Sequence, residues 1–154
     1  MKVSILAVGE QKSGPEKALT EDYCQRFGKT ARNLGMTGIN LVTVKSGGGS
    51  SREADRLLPK IPANAAIIRL DEHGKSLSSM KLAEQISRRR DQGTREIVFL
   101  IGGAEGFSEE ISSTYPQTLA LGPQTWPHLL VRAMLAEQIY RAATILTGSP
   151  YHKE

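Results

Sequence analysis

The sequence predicts an α/β protein with a mostly parallel sheet, and three observations carry that prediction. β-rich and helix-patterned stretches alternate from one end of the chain to the other. The run Glu96–Ile101 is apolar enough to sit at the centre of a parallel sheet covered on both faces. A length of 154 residues with 39% hydrophobic content lets one domain, 1–154, bury both faces of a sheet without disulfides or metals.

The elements follow in order. Residues 2–9 read as the first strand, because Glu10 and Gln11 interrupt the apolar run before it reaches the length a signal peptide needs. Residues 15–28 carry helix formers between an opening Pro15 and a closing Gly28, and 39–45 is a second strand. After Gly47-Gly48-Gly49, Ser50 and Glu53 have capping-box spacing and open a helix that must stop by Pro62. Residues 65–71 form a strand, and 78–91 a helix with Leu82 and Ile86 on one face. Glu96–Ile101 is followed by a short helix capped by Ser108 and reaching Tyr115, then by a brief strand over 118–121. Pro127 begins a long helix to about Thr147. In it Val131, Met134, Leu135, Ile139, Ala142 and Leu146 form one apolar face, and Leu130, Ala133, Ala136, Tyr140 and Ala143 a second. One face covers the sheet; the other wants a partner, most simply a second copy across a two-fold axis.

Composition excludes several function classes. No segment is apolar for long enough to span a bilayer, so no membrane partner is expected. The single Cys24 rules out an internal disulfide and a cysteine metal cluster, and its amphipathic setting favours a buried thiol in a cytoplasmic protein. A formal charge of +4 suits transient contact with an anionic partner. Arg88-Arg89-Arg90 lies near a helix end, where favourable interaction with the helix dipole competes with RNA contact as its reason.

Ligands of open α/β sheets bind outside the carboxyl ends of the strands, which directs attention to three loops. In Leu100-Ile101-Gly102-Gly103-Ala104-Glu105-Gly106 a buried strand breaks into glycines, either so that backbone can touch a ligand or because the turn needs positive φ. Leu121-Gly122-Pro123-Gln124-Thr125-Trp126-Pro127-His128 is stiffened by its prolines, and Arg69-Leu70-Asp71-Glu72-His73-Gly74-Lys75 is a strand running into a polar turn. Dinucleotide and P-loop glycine patterns are both missing, and nothing beside Asp71 completes a metal site.

The glycine loop, the Trp126-Pro127-His128 helix start, the stretch from Arg132 to Arg141 and the ending Pro150-Tyr151-His152-Lys153-Glu154 together resemble one family, the large-subunit ribosomal RNA pseudouridine N3-methyltransferases of the SPOUT class. The resemblance covers the chain from Ala7-Val8-Gly9 to the tail. It implies a homodimer with a C-terminal trefoil knot, and S-adenosylmethionine held by Leu70, Gly102, Leu121, Gly122, Pro123, Gln124, Thr125 and Trp126 without a metal. The run from Gly122 to Trp126 departs from other members in side-chain identity, which a site built from backbone tolerates. The implied reaction is methylation of N3 of a pseudouridine in 23S ribosomal RNA on the assembled ribosome.

On that reading Arg132 stabilises the anion of the base, while Tyr151 and His152, in a tail able to cross a dimer interface, contact it. Each has a structural alternative. Arg132 can pair with a carboxylate, Tyr151 can simply pack, and Arg141 has Glu137 at i, i+4 spacing. His128 reads more readily as a first-turn residue, and His73 is open between the two readings. The competing function is a non-catalytic RNA-binding dimer of the same fold, which would need no cofactor pocket.

Overall fold

The computed structural model describes all of Met1–Glu154. Strands and α-helices alternate as β1 (Lys2–Val8), α1 (Pro15–Ala31), β2 (Ile39–Val44), α2 (Gly49–Leu57), β3 (Ala66–Leu70), α3 (Ser79–Asp91), β4 (Glu96–Ile101), α4 (Glu109–Thr114), β5 (Thr118–Leu119) and α5 (His128–Thr147). The five strands form one sheet in the order β2-β1-β4-β3-β5, and every pairing is parallel.

The period of two along each strand divides the apolar residues between two layers. Val3, Ile5 and Ala7 of β1 join Ile97, Phe99 and Ile101 of β4 against Phe27 of α1, Leu82 and Ile86 of α3, and Leu135 and Ile139 of α5. The alternate residues Leu6, Val8, Val98 and Leu100 face Ala54 and Leu57 of α2 and Ile111 of α4. β4 is therefore buried on both sides, as its composition predicts.

Local signals place most element ends. Ser78 and Ser108 cap α3 and α4 by accepting from the backbone N–H groups of Lys81 (3.2 Å) and Ile111 (3.3 Å). The capping box expected at Ser50 does not form. α2 starts two residues earlier, with left-handed Gly48 as its N-cap, and the Glu53 carboxylate accepts from Gly47 N–H at 3.0 Å. Nor does Gly28 end α1, which runs on to Ala31. A Cβ at Gly28 would meet the Gly38 Cα at 3.7 Å, an ordinary contact distance, so the helix passes through this glycine without needing it. The brief strand predicted over 118–121 is paired at Thr118–Leu119, with Ala120 adding a bridge to Ser76.

α5 corrects a larger expectation. Its two apolar faces do not divide into one for the sheet and one for a partner, because α1 and α3 pack along it. Ala133, Ala136 and Ala143 of the second face are buried within the chain together with Leu135, Ile139 and Ala142 of the first. What stays uncovered is a shorter apolar strip that includes Leu130 and Met134. No helix is long and apolar enough to cross a membrane. Burial, and after it the Glu21 carboxylate, push the Cys24 thiol up to about 11, so it is protonated near neutrality.

Ile139 is fully buried at the centre of the layer that holds α5 on the sheet. Ile139→Ala is expected to lower the unfolding free energy by about 2–5 kcal/mol, read as a lower urea midpoint at unchanged slope.

Candidate active site

Parallel strands deliver their following loops to one edge of the sheet, and the loops after β3, β4 and β5 meet there around a cavity of about 580 Å³. Leu70, Gly102, Leu121, Gly122, Gln124, Thr125 and Trp126, all expected to hold a cofactor, line it; Pro123 is outside the lining. Sequence reasoning missed Ile101, Phe107, Leu119 and Val131, which add apolar wall, and undervalued His128. Their signal is positional: Ile101 and Leu119 end strands, and Phe107 follows the glycine loop.

Each loop is held by its own chemistry. After β3, the Asp71 carboxylate accepts from His73 N–H at 2.9 Å, and Gly74 N–H donates to Asp71 O at 2.9 Å. Arg69 lies largely buried beneath this turn. Its Nε donates to Tyr115 O at 2.6 Å and its guanidinium sits 5.5 Å from the centre of the Phe107 ring. The loop after β5 closes on itself, with Trp126 Nε1–H donating to Leu121 O at 2.8 Å, and Thr125 Oγ1–H joins it to Glu72 at 2.6 Å. In the β4 loop, a Cβ at Gly102 would lie 3.3 Å from the Gly106 carbonyl carbon and 3.4 Å from Phe107 Cε1, so only glycine leaves this wall unstrained. A Cβ at Gly103 would lie 2.5 Å from a Glu53 carboxylate oxygen.

The expected catalytic residues are not together. Arg132 is 1% exposed and does not line the cavity. Its Nη2 donates to Val8 O at 2.9 Å and also to Gly9 O, and burial lowers its pKa. It is thus partnered by carbonyls rather than by the carboxylate considered from sequence. His128, one turn earlier, lines the cavity and places Nε2 2.8 Å from the same Val8 O.

Tyr151 and His152 lie instead against the middle of α5. Tyr151 O–H donates to Glu137 at 2.9 Å, and its ring packs tilted against Tyr140 with ring centres 4.8 Å apart. Burial first, then hydrogen bonding, raises the Tyr151 pKa. Arg141 pairs with the same Glu137, forming the i, i+4 ion pair that the spacing predicts, and its Nη1 is 3.3 Å from His152 Nδ1. Glu137 is nine residues along α5 from His128, an axial rise of about 14 Å, so in one chain the tail and the cavity are separate.

A second apolar groove of about 540 Å³ runs between them, lined by Leu19 and Tyr23 of α1, Leu77, and Leu130, Met134 and Glu137 of α5. It shares Leu119, Leu121 and Gly122 with the first cavity. The arginine run is held largely within its own neighbourhood, Arg89 bonded to Gln117 and Arg90 to Asp91 and Ser87.

The chain matches the family model described as a predicted SPOUT methyltransferase over residues 1–152. It is 56% identical over 153 residues to a protein of Hyphomonas neptunium named ribosomal RNA large subunit methyltransferase H, covering 99% of each chain. A protein of the same name from Cereibacter sphaeroides is 48% identical over 155 residues, again with 99% of each covered. Among solved structures, the SpoU methyltransferase AviRb from Streptomyces viridochromogenes in complex with AdoMet aligns with a TM-score of 0.43 at 13% identity, over 95% of this chain and 58% of the other.

Arg132→Met would leave the Gly9 carbonyl without its donor and Val8 O with His128 alone. Urea unfolding is expected to show a loss of about 1.5–3 kcal/mol, the range for hydrogen bonds made by a charged group.

Proposed function

The chain belongs to the SPOUT methyltransferase family, and on that premise we propose that it methylates N3 of a pseudouridine in large-subunit ribosomal RNA, using S-adenosylmethionine seated in the cavity at the ends of β3, β4 and β5. The observation that carries the reading is the convergence of the three strand-end loops on one cavity whose lining suits that donor. Leu70, Ile101, Phe107, Leu119 and Leu121 offer apolar surface to an adenine ring. Asp71, Glu72 and Glu105 are the carboxylates of the lining and outnumber its one arginine, Arg69, which is already bonded to Tyr115 O, as befits a ligand with a sulfonium and an ammonium and without phosphate. Gly102 leaves room where any Cβ would crowd Gly106 and Phe107.

Bound there, the donor supplies a methyl group already activated by its sulfonium, so the protein's share of the work is alignment and proton removal. Leu70, Gly102, Leu121, Gly122, Gln124, Thr125 and Trp126 would hold it, with Pro123 stiffening their loop. The Trp126–Leu121 and Thr125–Glu72 bonds hold that loop in shape before any ligand arrives. Arg132 acts at one remove, through the Val8 and Gly9 carbonyls.

Tyr151 and His152 reach the reacting base from a second copy. Two facts support a homodimer: the tail and the cavity are apart in one chain, and the groove lined by Leu130 and Met134 joins the cavity wall to Glu137, the residue that holds Tyr151. The threaded last third that the family implies is supported by the return of α5 from the β5 edge of the sheet, past β3 and β4, to bond Val8 at the end of β1. The substrate is the assembled ribosome in the cytoplasm, bound through the dimer surface. The competing RNA-binding module would need no such cavity.

Methyl transfer from labelled S-adenosylmethionine to ribosomes lacking the modification tests this reading directly. Label is expected on one large-subunit pseudouridine, with Gly102→Val abolishing both donor binding and transfer. Donor binding without label on any large-subunit RNA would mean another RNA substrate. Ribosome binding is expected to weaken steeply with added salt as phosphate contacts release counterions; binding indifferent to salt would contradict a phosphate-facing surface.

A further inference from the structure

The hydrogen bonds around Val8 determine which nitrogen of His128 carries its proton. Arg132 Nη2 has two hydrogens, and two carbonyls, Val8 O and Gly9 O, lie within bonding distance of it. Its 3.4 Å contact with His128 Nε2 therefore has no hydrogen left to share. Val8 O, 2.8 Å from Nε2, can only accept, so Nε2 bears the hydrogen and Nδ1 of the neutral ring bears the lone pair. Nδ1 takes no hydrogen bond from the protein, and His128 lines the cavity. Gly9 makes the arrangement possible: at φ +100°, a Cβ there would lie 3.3 Å from Arg132 Nη2 and 3.6 Å from His128 Nε2.

From this geometry, and resting on the methyltransferase reading above, we propose that His128 is the proton acceptor of the reaction. The acceptor nitrogen's N–H bond breaks as its proton forms a bond to Nδ1. The electron pair left on that nitrogen forms the new bond to the methyl carbon, while the carbon–sulfur pair returns to sulfur as a neutral thioether. The imidazolium then gives its proton to water. His152 does not compete for this role in the chain: its Nδ1 accepts from Arg141, which leaves the hydrogen on Nε2, a buried atom with no partner. The charged and titratable groups around His128 are Arg132 on its own helix and, across the cavity, Arg69, Asp71, Glu72, His73 and Glu105.

His128→Gln separates anchoring from basicity, because the glutamine amide can still donate to Val8 O but is not a base. Three quantities are read: the 15N resonances of the wild-type ring, donor affinity by calorimetry, and the rate of label transfer to unmodified ribosomes from about pH 6 to 9. The wild-type ring should show a protonated Nε2 and a bare Nδ1. The variant should bind donor within about threefold of wild type while its rate falls about 10²- to 10⁴-fold. That residual rate should climb tenfold per pH unit, as hydroxide replaces the lost base. Transfer by the variant within about threefold of wild type would overturn the proposal. So would a proton found on Nδ1, or donor binding lost together with transfer. Failure of the wild-type protein itself to label ribosomal RNA would defeat the underlying reading, and it shows before any variant is made.

Discussion

A single buried guanidinium joins the two ends of this chain. Arg132 reaches from the last helix to the carbonyls of Val8 and Gly9, where the first strand runs out, across more than 120 positions of sequence. Burying a full charge is costly unless its hydrogens find acceptors, and no carboxylate lies against this one. Carbonyl dipoles at the carboxyl end of β1 take the Nη2 hydrogens, while Nε–H is buried without a partner, and those two bonds tie the depth and rotation of α5 to the end of β1. With the helix so placed, Leu135 and Ile139 enter the layer against α1 and α3, and His128 comes to the cavity rim.

The cavity in turn depends on the parallel sheet. Strands running one way deliver their outgoing loops to the same edge, so segments beginning near residues 70, 102 and 121 become neighbours although long stretches of chain separate them. Cross-links hold them without a ligand: Thr125 to Glu72, Trp126 to Leu121, and Arg69 to Tyr115. A site organised before binding loses less conformational freedom when the ligand arrives, which matters for a reaction that consists mainly of alignment.

The tail is ordered by a different hub. Glu137 accepts from both Tyr151 and Arg141, and Arg141 lies over the Tyr151 ring, its centre 4.8 Å away. These contacts hold the last residues against α5, beside the groove that the homodimer would cover.

By itself the sequence determined what depends on neighbours along the chain. Ser78 and Ser108 cap their helices because a serine at that position meets a free N–H three residues on, and β4 is central because its run of apolar side chains could sit nowhere else. The meeting of the three strand-end loops around one cavity was legible for the same reason, since strand ends in a parallel sheet share an edge. Local reading failed where a local bond had a distant rival. Glu53 left its capping box for Gly47 and would meet any Cβ at Gly103, α1 ran past Gly28 to Ala31, and the alanines of α5 were covered from within the chain. Only the tertiary structure decided the roles of Arg132 and His128. Their spacing of four is legible in any helix, but which one is buried and which faces the cavity is settled by two carbonyls at the far end of the sequence, and no periodicity records where those come to rest.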